Sequence, residues 1–242
     1  MKYRLEWLSE DEGSITFLEG GEPFMTLKVF LAGEEEAELR IQDVVFLKND
    51  RKTSDLQEKV ITKMTECISE SFRLLWEEGF EETILVEPKG SKLAEILDST
   101  DVVSLVYKEY MMKRDFARHK STGCGLPALR LTKNEDGYDC ENAEGTFFCR
   151  LLDYEKTKEQ KRCFYLYEVE VDAVKRNQGI ATACLRKLFE LLAEQSPVTV
   201  YLQVGSYNEP AVHLYEKLEF EISEELRYYT MAEDDQEYQE RV

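Results

Sequence analysis

Histidine, paired cysteine and long apolar runs are all scarce in this chain, and each scarcity excludes a class of protein. Two histidines in 242 residues, His119 and His213, leave a zinc site little to draw on, and no metal is expected. The six cysteines (Cys67, Cys124, Cys140, Cys149, Cys163, Cys184) form no C-x-x-C pair and keep no regular spacing. They read as reduced, mostly buried thiols. No apolar stretch approaches the ~18 residues of a membrane span. The opening residues Met1 to Glu6 lead soon into acidic sequence, without the apolar run of a signal peptide. A cytoplasmic protein without a membrane partner is expected. Basic residues are also short, 31 against 50 acidic, for a net charge of −19. Such a surface repels phosphate backbones, so nucleic acid is not an expected partner, and encounters with cations, amines included, are favoured.

What is present suits a globular α/β protein. The chain is 43% hydrophobic and 33% charged, and its length allows one large domain or two ordinary ones. The clearest pattern lies in the last third. Cys163 to Val171 reads as a strand and Gly179 to Glu194 as a helix, with Ile180, Cys184, Leu188, Leu191 and Leu192 at helical spacing. Val198 to Val204 is a further strand. Asn208-Glu209-Pro210 opens a second helix with Ala211, Leu214, Tyr215 and Leu218 as its stripe, and a last strand lies within Phe220 to Met231. Tyr138 to Cys140 and Thr146 to Tyr154 precede these as strands, separated from them by a charged loop at Lys156 to Lys161. The order is β-β-β-α-β-α-β.

The first half repeats it. Ile15–Leu18, Phe24–Leu31 and Ala37–Leu47 read as strands. A long helix follows, from a capping box at Ser54-Asp55-Leu56-Gln57 to a stop at Gly79. Then come a strand at Thr83–Val86, a short helix at Ser91–Leu97 and a strand at Val102–Met112. Leu93-Ala94-Glu95-Ile96-Leu97 echoes Leu214-Tyr215-Glu216-Lys217-Leu218 about 120 residues on, one domain length. The expectation is a mixed sheet built twice, as domains 1–115 and 127–242, with Arg114 to Pro127 as linker.

The chemistry centres on the turn after residue 171. A helix N-terminus presents unpaired N–H groups and partial positive charge, a cradle for pyrophosphate. Gly179 permits close backbone approach, Ala181 keeps the next position small, the Thr182 hydroxyl can donate, and Lys175 and Arg176 add positive charge.

Val169-Glu170-Val171-Asp172-Ala173-Val174-Lys175-Arg176-Asn177-Gln178-Gly179-Ile180-Ala181-Thr182 closely resembles the acetyl-CoA-binding motif of the GNAT superfamily of N-acyltransferases. Asn208 to Phe220 resembles that family's second motif. The resemblance implies the acyl-CoA N-acyltransferase fold, duplicated, with strands 163–171 and 198–204 splayed apart. It implies acetyl-CoA as acyl donor, its pyrophosphate on Arg176, Asn177, Gln178, Gly179, Ile180, Ala181 and Thr182, and its pantetheine arm along Val169 and Val171. Asn208, which also reads as a helix cap, joins that cofactor-binding set. Tyr215 matches the family's general acid. Glu168 and Glu170, on one face of the strand, are candidate bases, and a backbone N–H near Val169 would polarise the thioester. The acceptor would be a small-molecule or peptide amine. Glu219 departs from the family, which usually has glycine before the phenylalanine. The first half has no glycine in Lys48 to Ser54 and Ala94 at the place of Tyr215, so the resemblance implies a half without a cofactor site. The alternative is a non-catalytic acyl-CoA-binding or interaction protein that has kept the fold.

Overall fold

Alternation of apolar and polar residues becomes sheet through most of the chain, and the two helical patterns in each half become the cover of that sheet. The computed structural model describes residues 2–44, 54–118, 127–154, 162–194 and 197–232. Two compact units divide the chain: Met1–Lys108 with Leu226–Val242, and Glu109–Glu225.

Unit 1 contains β1 (Lys2–Trp7), β2 (Glu12–Glu19), β3 (Glu22–Leu31), β4 (Glu36–Val44), α1 (Ser54–Glu77), β5 (Glu82–Pro88), α2 (Lys92–Leu97) and the first part of β6 (Val103–Phe116). The first four strands form an antiparallel meander, and β4 then pairs β5 in parallel. The later residues of β12 (Glu221–Met231) return to this unit and pair β5. Ile15, Leu27, Leu39 and Leu85 from the strands meet Met64, Ile68 and Leu75 of α1 in one core. Burying each such side chain contributes roughly 1.5–3 kcal/mol. Gly79 stops α1 in a left-handed conformation, φ 100°, as the sequence implies.

Unit 2 contains the rest of β6, β7 (Leu129–Lys133), β8 (Gly137–Asn142), β9 (Phe147–Tyr154), β10 (Arg162–Val171), α3 (Ile180–Ala193), β11 (Val198–Gly205), α4 (Glu209–Lys217) and the start of β12. Its sheet runs β6-β11-β10-β9-β8-β7, parallel only where β10 meets β11. Leu185, Leu188 and Phe189 of α3 and Tyr215 of α4 pack on Phe164, Leu166, Val200 and Leu202.

Each antiparallel meander, β1–β4 and β7–β10, therefore has four strands rather than the three legible in sequence. The additional ones, β1 and β7, are sheet edges with mostly exposed residues, and so carry little apolar alternation. Two readings shift. Arg114 to Phe116 belong to β6 rather than to a linker, paired with Val198 to Val200. The buried face of α3 is Cys184, Leu185, Leu188, Phe189 and Ala193, whereas Leu191 and Leu192 are only half-buried. The side chains of the capping box at 54–57, the turn at 48–53, the middle of the expected linker and the loop at 156–161 lie outside the described residues.

Candidate functional site

A gap between two strands creates the site. β10 and β11 are partners from Arg162↔Val198 to Leu166↔Leu202 and no further. Beyond that point β11 continues along β6 to Gly205, and β10 continues along β9 to Val171. The strands splay at their C-terminal ends, as the family resemblance implies.

A bulge sits at the point of divergence. Between Tyr167 and Glu170 the register with β9 slips by one residue, and Glu168 takes φ 50°. The extra residue changes the parity of the strand. Phe164 and Leu166 face the core before it, and Val169 and Val171 pack against the same core after it. Unbroken alternation would put Glu168 on the face of Leu166. The bulge leaves it exposed, where its carboxylate pairs with Arg150 at 2.9 Å.

A cleft of about 900 Å³ fills the gap. Val169, Glu170, Val171, Arg176, Asn177, Gly179, Ile180, Ala181, Thr182, Asn208 and Tyr215 all line it. Glu168 and Gln178 do not; the Gln178 amide donates to the Val174 carbonyl at 3.4 Å. Gly179 is the N-cap of α3 with φ 78°, and no side chain caps the helix. The N–H groups of its first turn therefore have no intrahelical acceptor and face an open end of positive potential. A Cβ at Gly179 would meet nothing within 4 Å, so the space over the turn is vacant for a ligand. Asn177, at φ 61°, is the second left-handed residue of the turn. The Arg176 guanidinium reaches back to the Val171 carbonyl at 3.1 Å and ties the turn to the strand end.

Asn208 caps α4 as its sequence suggests, accepting from the Ala211 N–H at 3.3 Å, and Pro210 fills the first turn. Tyr215 lies one and a half turns on. It is 7% exposed, and its ring meets Phe220 edge-on at 5.9 Å. Burial pushes its phenol up to about 12, and the neighbouring Cys149 and Tyr165 add to the effect.

The opposite wall is legible only in three dimensions. Gly145, Thr146, Phe147 and Phe148 line the cleft from the β8–β9 turn. The buried Asn142 builds that turn: its carbonyl oxygen accepts from the N–H groups of Thr146 (2.8 Å) and Phe147 (3.0 Å), and its amide donates to the Thr146 hydroxyl. An asparagine four residues before a threonine, with Gly145 between them, is the local signal that could have pointed there.

Unit 1 repeats the strand split. β4 and β5 are partners from Glu36↔Glu82 to Leu39↔Leu85, and then part. The carboxyl of Glu87, 4% exposed, accepts there from the Ser91 hydroxyl at 3.2 Å and from the Ile41 N–H. Ser91 caps α2 as Asn208 caps α4, and Asn208 follows Ser91 by 117 positions. Leu202 follows Leu85 by the same 117. On that count Asp98 is the counterpart of Tyr215, and the sequence echo that aligns Ala94 with it is out of register.

Comparison with known proteins agrees with this geometry. Residues 142–220 match the family described as Acetyltransferase (GNAT) family. Among solved structures, a GCN5-related N-acetyltransferase from Sphaerobacter thermophilus aligns over 93% of this chain and 82% of its own, with 12% identity and a TM-score of 0.58. A tandem GNAT protein from the clavulanic acid biosynthesis pathway aligns over 91% and 83%, with 12% identity and a TM-score of 0.53. A GCN5-related N-acetyltransferase from Kribbella flavida covers 84% and 85%, with 9% identity and a TM-score of 0.52. A search of curated proteins finds no sequence relative. At these identities the solved structures show the fold, and the family match adds the motifs. Residues 142–220 thus match the GNAT acetyltransferase family, the splayed strand pair and the uncapped glycine turn lie within that segment, and the chain has the duplicated acyl-CoA N-acyltransferase fold.

Proposed function

We propose that the chain is an N-acetyltransferase that moves the acetyl group of acetyl-CoA to a primary amine by direct attack. One observation supports this above the others. The N-terminus of α3, the end of β10 that β11 leaves and Tyr215 all border a single cleft. The residues present suit acetyl-CoA. Its pyrophosphate would accept from the N–H groups following Gly179 and from Thr182, beside Lys175 and Arg176. Its pantetheine amides would pair with the edge of β10 that β11 leaves past Leu166.

The residues then divide the work. A main-chain N–H near Val169 polarises the thioester carbonyl as the amine attacks. The bond from carbon to nitrogen forms, the bond from carbon to sulfur breaks, and the thiolate takes a proton. A phenol held at about 12 stays protonated at neutral pH, while a thiol titrates near 8.5, so Tyr215 donates that proton. Glu170 lines the cleft and is exposed, which suits it to accept the amine's proton through water. Glu168, engaged by Arg150, is the weaker candidate of the two. Unit 1, where the buried Glu87 accepts from Ser91 at the split, contributes no second cofactor site in this reading.

Thermal unfolding with acetyl-CoA, CoA and ATP, on the native chain and on Gly179→Glu, tests the reading. Ligand at a hundred times its Kd stabilises by about 2.7 kcal/mol, a rise of a few degrees in Tm. A rise with acetyl-CoA and CoA but not ATP, lost in the variant, is expected. No rise with any of them would rule the cofactor site out. A rise without CoA release on any amine would leave the binding module as the function.

A further inference from the structure

The helix-covered face of the unit 2 sheet is apolar, and the other face carries a row of tyrosines that leads to the splay. Tyr165 and Tyr201 are direct partners across β10 and β11, and both are half-buried. Tyr165 and Tyr167 stack at 6.2 Å with their planes 28° apart. Tyr167 is the first residue of β10 past its last pair with β11 and stands two positions before Val169, which lines the cleft.

Charge around the row favours a cation. Arg150, the partner of Tyr167, is matched by two carboxylates, Glu168 at 2.9 Å and Asp139 at 3.2 Å. Lys113 is opposite Tyr201, and at alternate positions of β6 lie Asp115 and Glu109, which accept from Thr199 and Gln203. Ring faces attract cations, and rims of carboxylate strengthen that attraction. An attacking nitrogen, however, has already given up its proton and its charge. A surface that recognises positive charge therefore reads a second group on the acceptor.

We propose that Tyr201, Tyr165 and Tyr167 form the acceptor subsite of unit 2, and that it selects a small amine carrying a second positive charge. The inference rests on the transferase reading above and names its substrate class.

A matched pair of amines tests it: kcat/KM for 1,4-diaminobutane and 1-aminobutane, on the native chain, Tyr167→Ala and Tyr167→Phe. The diamine is expected to be favoured by roughly tenfold or more. Tyr167→Ala should remove most of that preference, and Tyr167→Phe, which keeps the ring face, should retain it. An unaltered Tm rise with acetyl-CoA shows that each variant is folded. Calorimetric titration of 1,4-diaminobutane into the CoA-saturated protein gives a readout free of turnover. Equal kcat/KM for the two amines, a loss shared by both in Tyr167→Ala, or no diamine binding would overturn the subsite. Diamine binding that Tyr167→Ala weakens, without turnover of either amine, would uphold the subsite and overturn the transferase reading instead.

Discussion

The guanidinium of Arg114 donates both to the main-chain carbonyl of Leu218 and to the carboxylate of Glu219, closing the C-terminal end of α4. Glu219 needs that help. It stands at φ 61°, in the region that glycine occupies freely and a side chain enters at a cost of about 1 kcal/mol or more. Its own carboxylate is 76% exposed, so the ion pair returns little. Glu219→Gly is therefore expected to raise Tm by a few degrees, read by calorimetry. A fall in Tm would show that the Arg114 contact outweighs the strain.

Stability should also depend on pH through unit 1. Burial pushes Glu87 up from 4.5 to about 7, against the opposing pull of Ser91, the Ile41 N–H and Arg40. A raised carboxyl binds its proton more tightly in the folded state. Its stabilising contribution is complete below 4.5 and is lost as pH rises through 7. The difference amounts to about 3 kcal/mol between pH 4 and pH 8. Glu87→Gln should flatten this part of the profile, raising Tm at pH 8 relative to the native chain and leaving it nearly equal at pH 5.

Tyr215→Phe keeps the ring against Phe220 and removes only the hydroxyl. Turnover should drop by 10²-fold or more if proton donation limits the reaction, while acetyl-CoA binding by calorimetry stays within about twofold. Equal turnover in native and variant proteins would remove Tyr215 from the mechanism.

Gly137 permits no side chain. A Cβ there would lie 1.9 Å from the carbonyl oxygen of Leu151 on the paired strand, against backbone that has nowhere to move. Gly137→Ala should cost roughly 2–4 kcal/mol by forcing β8 from β9, seen as a lower midpoint in urea. Because β9 carries Phe147 and Phe148 to the cleft, acetyl-CoA affinity should fall with it.

Much of this was local in origin. The glycine turn is legible because Gly179 is required at a left-handed position, and the two α4 signals, Asn208 and Pro210, act within one turn of themselves. Strand β10 and helix α3 follow from period-2 and period-3.6 patterns over enough residues to be unmistakable. Edge strands β1 and β7 escaped because half-exposed residues need no alternation. The counterpart of Tyr215 in unit 1 was misplaced for a similar reason: a five-residue resemblance is weaker than a helix cap and a strand register, which only pairing reveals.

Sequence alone determined the family resemblance, the glycine turn after β10 and the element order from β10 onward, since each depends on residues close together in the chain. The tertiary structure decided the rest. It chose where β10 bulges, because the strand must stay bonded to β9 while leaving β11. It set Glu168 on Arg150 and left Glu170 for the cleft. It also drew β12 into both units, with residues to Glu225 in one and from Leu226 in the other. Strand pairing and burial join residues far apart in sequence, and no local pattern encodes their partners.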